Sequence, residues 1–76
     1  MKSDEALLLI VAEYKRATEN NGTFHSAYEG YAVIAEELDE LWEEVKKKAK
    51  DRDVADLRKE AMQVAAMGLR FMVDLT

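Results

Sequence analysis

The chain contains no cysteine and no proline, only three glycines, and a single histidine. Without cysteine there can be no disulfide and no thiolate zinc site, and one histidine alone does not make a zinc site either. Without proline, and with so little glycine, the usual punctuation of turn-rich β architectures is missing, and no alternating apolar–polar run of useful length suggests a strand. Basic charge is also scarce: 11 Lys and Arg against 16 Asp and Glu leave a net charge of −5. Nucleic-acid binders draw affinity from neutralising phosphates with a basic surface, so this balance argues against that class. Long hydrophobic runs are absent as well. The apolar stretch in "MKSDEALLLIVAEYK" spans about seven residues, too short for a bilayer, and acids precede it, unlike a secretory leader. The expectation is a cytoplasmic protein without membrane or nucleic-acid partners.

What remains is helical. Seventy-six residues form one domain, 1–76, and a chain this short buries only about 60% of its unfolded surface, so it needs a staple such as a metal or a second subunit. A first helix is expected from Ser3 to about Glu19, with Leu7, Ile10, Val11, Tyr14 and Ala17 on one face and "NNG" (20–22) as its stop. A second is expected from Phe24 or Ala27 to Lys50. Ser26 and Glu29 have capping-box spacing, and Ala27, Tyr31, Ile34, Leu38, Leu41, Trp42 and Val45 trace one apolar stripe. The third runs from Val54 to Asp74 after a turn at "DRD" (51–53), with Asp51 or Asp53 as its N-cap. It is apolar nearly all round, and such a helix is normally buried all round. Three helices of one chain cannot easily surround it. The expected architecture is therefore all-α, a three-helix chain forming an intermolecular four-helix-bundle-type dimer or tetramer.

The segment "EELDELWEEV" (36–45) puts six carboxylates into ten residues. At about 100° per residue, Glu29, Glu36, Glu40 and Glu43 share a face opposite the apolar stripe, while Glu37 and Glu44 lie on its flank. Glu43 and Glu44 are expected to be surface residues paired with Lys47 and Lys48. Glu37 and Glu40 are one turn apart, as are Glu60 and Gln63 on the third helix. Folding those helices antiparallel about the 51–53 turn brings Glu40 level with Glu60 and Glu37 level with Gln63. Two unit charges about 4 Å apart repel by some 4 kcal/mol at an effective dielectric of 20. Such a cluster persists only around a cation or where the side chains reach water. Oxygen-only donors suit Mg²⁺ or Mn²⁺.

"EELDE", nineteen residues, then "EAMQ" resembles the EExxE–spacer–ExxD signature of the MazG-like all-α nucleoside triphosphate pyrophosphohydrolases. The likeness covers roughly residues 25–75 and includes the apolar framework of "GYAVIAEELDELWEEV". It implies a helical dimer or tetramer that uses Mg²⁺ to cleave nucleoside triphosphates between the α and β phosphates. By position, it implies that Glu37, Glu40 and Glu60 are metal ligands, and that Glu36 is a further ligand or orients the attacking water, a role Glu40 could also fill. The last acid of the signature is Gln63 here. An amide oxygen can ligate a metal but brings no charge and cannot act as a general base. The competing expectation is thus a non-catalytic helical oligomer that binds nucleotide or protein through the same bundle. Asp56, one turn before Glu60, is a partial substitute for the missing acid, and Arg58 and Lys59 are candidates for the leaving pyrophosphate. His25 reads as a helix-start or subunit-contact residue.

Overall fold

The computed structural model describes all 76 residues. Helix α1 spans Ser3–Asn21, α2 spans Ala27–Val45 and α3 spans Val54–Leu75, with one 3-10 turn at Ala49–Asp51 and no strand. The local chemistry explains each boundary. Gly22, at φ 72°, ends α1 and donates its N–H to the Thr18 carbonyl, a left-handed conformation that costs a residue without Cβ little. Ser26 Oγ accepts from the Glu29 N–H at 3.1 Å, and Glu29 reaches back to the His25 N–H at 2.9 Å. The reciprocal cap forms as expected, one residue further out on its return arm. Asp53 caps α3 by accepting from the Ala55 N–H at 2.7 Å.

Helix α2 stops at Val45, five residues before the expected Lys50. Its free terminal carbonyl is taken by the Arg52 guanidinium, with Nε at 3.0 Å and an Nη at 2.7 Å from Val45 O. Lys46 and Lys47 then turn back onto Glu43 and Glu44 at i, i+3, where Lys47 and Lys48 were expected at i, i+4. The cluster of lysines therefore sits where the negative end of the α2 dipole favours cations.

Helix α3 is the central element, packed by both α1 and α2, which do not pack on each other. Gly30 permits the closest approach: a Cβ built there would lie 2.6 Å from the Phe71 ring. The core is thin, with Ala17, Phe24, Ala66 and Met67 buried and Ile10, Val33, Ile34, Phe71 and Leu75 partly buried around them. Only seven of 76 residues are buried, and none of the large side chains is fully enclosed. The radius of gyration is 13.1 Å, against about 11 Å for a compact chain of this length.

The expected apolar stripes are corrected accordingly. On α2, Val33 and Ile34 pack against the core and Leu41 is half-buried, whereas Tyr31, Leu38, Trp42 and Val45 are exposed. One wide apolar stripe is in fact two adjoining faces, and only one of them meets this chain's core. On α1, Leu7 and Val11 are likewise exposed, while Glu13 is buried beside Ala17.

Candidate metal centre and adjoining cleft

Helices α2 and α3 place three carboxylates together. Ligand oxygens of Glu37, Glu40 and Glu60 all lie within 4.8 Å of one another. Glu37 and Glu60 are half-buried on the helix–helix seam and Glu40 is exposed at its rim. One oxygen of Glu37 and one of Glu60 are buried without any hydrogen-bond partner. No ion pair of the chain involves any of the three acids. A buried, unpaired carboxylate oxygen carries a desolvation cost that folds normally avoid.

The electrostatics carry the same signature. Burial, then the neighbouring Glu40 charge and hydrogen bonding, then Glu60 and Glu36, push the Glu37 carboxyl up to about 7. Glu60 is also raised, first by burial and then by Glu40, with Lys59 opposing. Both effects disfavour the charged form. A divalent ion would reverse them, and the donor set of carboxylate oxygens is the kind that hard cations take. The residues present therefore fit such an ion.

The other expected site residues are placed as follows. Glu36 is exposed on α2, close enough to act on Glu37 through its charge. Gln63 lies one turn beyond Glu60 and lines a cleft together with Glu37 and Glu13. Asp56 is exposed, and its charge acts on Lys47 and not on the acid cluster. Lys59 is exposed and its field reaches Glu60. Arg58 borders a small apolar groove between α1 and α3 with Leu9, Ile10 and Met62. His25 is exposed at the start of α2, its Nδ1 3.7 Å from Glu29.

The cleft of about 340 Å³ beside the acids was not foreseen. It exists because α1 and α2 both pack on α3 and leave a gap between themselves. Its polar wall includes Glu13, Arg16, Asn21 and Arg70, and its apolar wall Phe24 and Met67. Arg16 holds Glu13 through two bonds, Nε at 2.8 Å and an Nη at 2.5 Å, and this pairing, against the opposing effect of burial, keeps Glu13 below the usual carboxylate range. Arg70 is buried. It donates to Gly22 O at 2.8 Å, lies 4.1 Å from the Phe24 ring centroid and contacts Met67 sulfur. One turn on, Asp74 accepts from the Phe24 N–H at 2.9 Å. Arg70 and Asp74 thus pin the α1–α2 connection onto the C-terminal half of α3. The sequence did carry a signal for these residues: Arg70 interrupts the apolar "GLRFMV", and Glu13 falls between Ile10 and Ala17 on the inward side of α1.

No family model matches the chain, and no curated protein or solved structure shows significant similarity to it.

Proposed function

We propose that the protein is a Mg²⁺-dependent nucleoside triphosphate pyrophosphohydrolase of the MazG-like, all-α kind, active as a homodimer or homotetramer. The observation that carries this reading is the meeting of Glu37, Glu40 and Glu60 across two helices, with two buried carboxylate oxygens lacking any partner. A bound Mg²⁺ or Mn²⁺ would offset the charge of the triphosphate and polarise its phosphoryl oxygens. Glu37, Glu40 and Glu60 would hold the ion, with the Gln63 amide oxygen as a neutral fourth donor. Glu36, exposed next to Glu37, would orient the attacking water and accept its proton. Glu40, exposed at the rim, is the alternative carboxylate for that task. The new bond joins the water oxygen to the α-phosphorus. The bond from that phosphorus to the bridging oxygen breaks, and pyrophosphate departs with the electron pair.

The oligomer rests on a separate observation. Tyr28, Tyr31, Leu38 and Trp42 recur at spacings of three, seven and four on the outer face of α2, and they are 89%, 72%, 54% and 58% exposed. That is a helix–helix seam in search of a partner, and a second copy offers the same seam.

Pyrophosphate release from each common nucleoside triphosphate, with Mg²⁺ present, tests the reading. Release by the wild type and its loss in Glu40→Gln is the expected result. A second reading is favoured by Gln63, which supplies no charge where the resemblance expects an acid. On that reading the bundle binds nucleotide or a protein without cleavage, and Mg²⁺ raises the melting temperature while no triphosphate releases pyrophosphate.

A further inference from the structure

The cleft opens on one side of α3, and the opposite side of that helix is bare. Gln63, Met67 and Arg70 line the cleft. At about 100° per residue, Ala61, Ala65, Gly68 and Met72 lie roughly 140–200° around α3 from Gln63. Ala61 and Ala65 are exposed, Met72 is 65% exposed, and a Cβ built on Gly68 would meet nothing within 4 Å. On α2 the division repeats. Glu29, Val33 and Glu37 line the cleft, while the exposed Tyr31, Leu38 and Trp42 lie on the flank turned away from it. Both helices thus present apolar residues to the same side. In a chain with 16 acids, neither this flank of α2 nor the bare side of α3 carries one. The area exposed is also informative. The accessible surface is 5485 Å², against about 4,700 Å² for a compact monomer of 8.7 kDa. The excess is close to the about 800 Å² that each partner covers in a standard interface.

We propose that two copies of the chain pair back to back through this side, with α3 crossing its symmetry mate near Ala65 and the two carboxylate centres opening outward, away from the partner. Two copies of net charge −5 repel each other, and the acid-free side is where they meet without setting carboxylates together. A two-fold axis makes the same patch serve both subunits and brings position 65 of one copy onto position 65 of the other, with the two α3 helices antiparallel. Alanine and glycine at the crossing let the helix axes approach to about 8 Å, the near end of the usual range. Tyr31, Leu38 and Trp42 then border the crossing instead of forming a seam of their own. The inference rests on the homo-oligomer of the proposed function and not on its hydrolytic chemistry. It adds α3 to the α2 seam and makes each carboxylate centre complete within one chain.

The test uses the full chain and two changes at one position. Light scattering of the wild type should give at least twice the 8.7 kDa of one chain. Ala65→Glu, which sets two carboxylates against each other across the axis, should at least halve that mass. Because the chain has no cysteine, Ala65→Cys supplies a single thiol, and mild oxidation should join two copies through it, as a disulfide needs Cα atoms only about 4.4–6.8 Å apart. Glu43→Cys, on the outer surface of α2, should stay unlinked under the same oxidation. Should Ala65→Glu fail to fold, the cross-link alone decides. Calorimetry with Mn²⁺ should find the same affinity in the folded Ala65→Glu monomer as in the wild type, since each centre lies within one chain. A monomeric wild type, or equal cross-linking at positions 65 and 43, overturns the pairing. Loss of Mn²⁺ binding in the folded monomer overturns the outward-facing arrangement. Neither mass nor cross-link involves a triphosphate, so failure of the pairing and failure of the hydrolase reading are seen separately.

Discussion

Raising the pH of the metal-free protein should destabilise it between about pH 5 and 7.5, the reverse of ordinary acid sensitivity. Glu37 carries a folded-state value of about 7 against 4.5 for the free side chain. A carboxyl raised on folding binds a proton more tightly in the native state than in the unfolded chain. Its contribution is therefore full below 4.5 and is lost as pH climbs through 7. A shift of that size corresponds to an upper limit of about 3.4 kcal/mol. Glu37 is only half-buried, and solvent screening reduces this to about 1–2 kcal/mol. For a chain of this size the loss is about 5–15 °C in melting temperature. Glu60, raised by the same burial and by Glu40, adds in the same direction. Thermal melts in EDTA at pH 5.5, 6.5, 7.5 and 8.5, followed by circular dichroism, measure it. Glu37→Gln, which keeps the shape and removes the charge, should flatten the profile and melt above the wild type at pH 8. Mg²⁺ should raise the wild-type melting temperature more at pH 8 than at pH 5.5, since the ion competes with the proton. A metal-free melting temperature that rises steadily from pH 5.5 to 8.5 would refute the reasoning, because it would mean that Glu37 faces bulk water.

Three further outcomes follow from the packing. Gly30→Ala gains about 1 kcal/mol of helix propensity but drives a methyl into Phe71, costing about 1–3 kcal/mol, so urea unfolding should show a net loss near 1 kcal/mol; a gain would place α2 further from α3. On the proposed α2-mediated assembly, Trp42→Lys should give a smaller mass than the wild type in light scattering, since Trp42 is 58% exposed in the single chain; an unchanged mass would remove the α2 seam from the interface. Asp53→Ala should cost about 1 kcal/mol through loss of the α3 cap, read as a lower denaturation midpoint with an unchanged slope.

Much of this architecture was legible from residue order alone, for reasons that are local. The caps at Ser26, Gly22 and Asp53 act within a few residues, so their chemistry is written in adjacent letters. The approach of Glu37 and Glu40 to Glu60 follows from helical rise and an antiparallel turn, and the acids do meet. The all-round apolar character of α3 led to the expectation of a covering second subunit; within the chain both other helices pack on α3, while Val54, Met72 and Val73 stay exposed. What escaped was decided by tertiary partners. Periodicity could not separate Ile34, packed on the core, and half-buried Leu41 from exposed Tyr31 and Trp42, because all belong to one continuous apolar arc. The early end of α2 depends on Arg52 folding back onto Val45. The burial of Glu13 depends on Arg16, which binds it at the wall of the cleft between α1 and α2.

Calorimetric titration of Mn²⁺ and Mg²⁺ into the metal-free protein at pH 8 probes the carboxylate centre most directly. Saturable uptake with release of protons is expected, abolished in Glu60→Gln and strongly weakened in Glu37→Gln, while Glu43→Gln, on the outer surface, binds as the wild type does. Absence of uptake, or uptake that survives loss of both Glu37 and Glu60, would contradict the claim that the helices gather these acids around an ion.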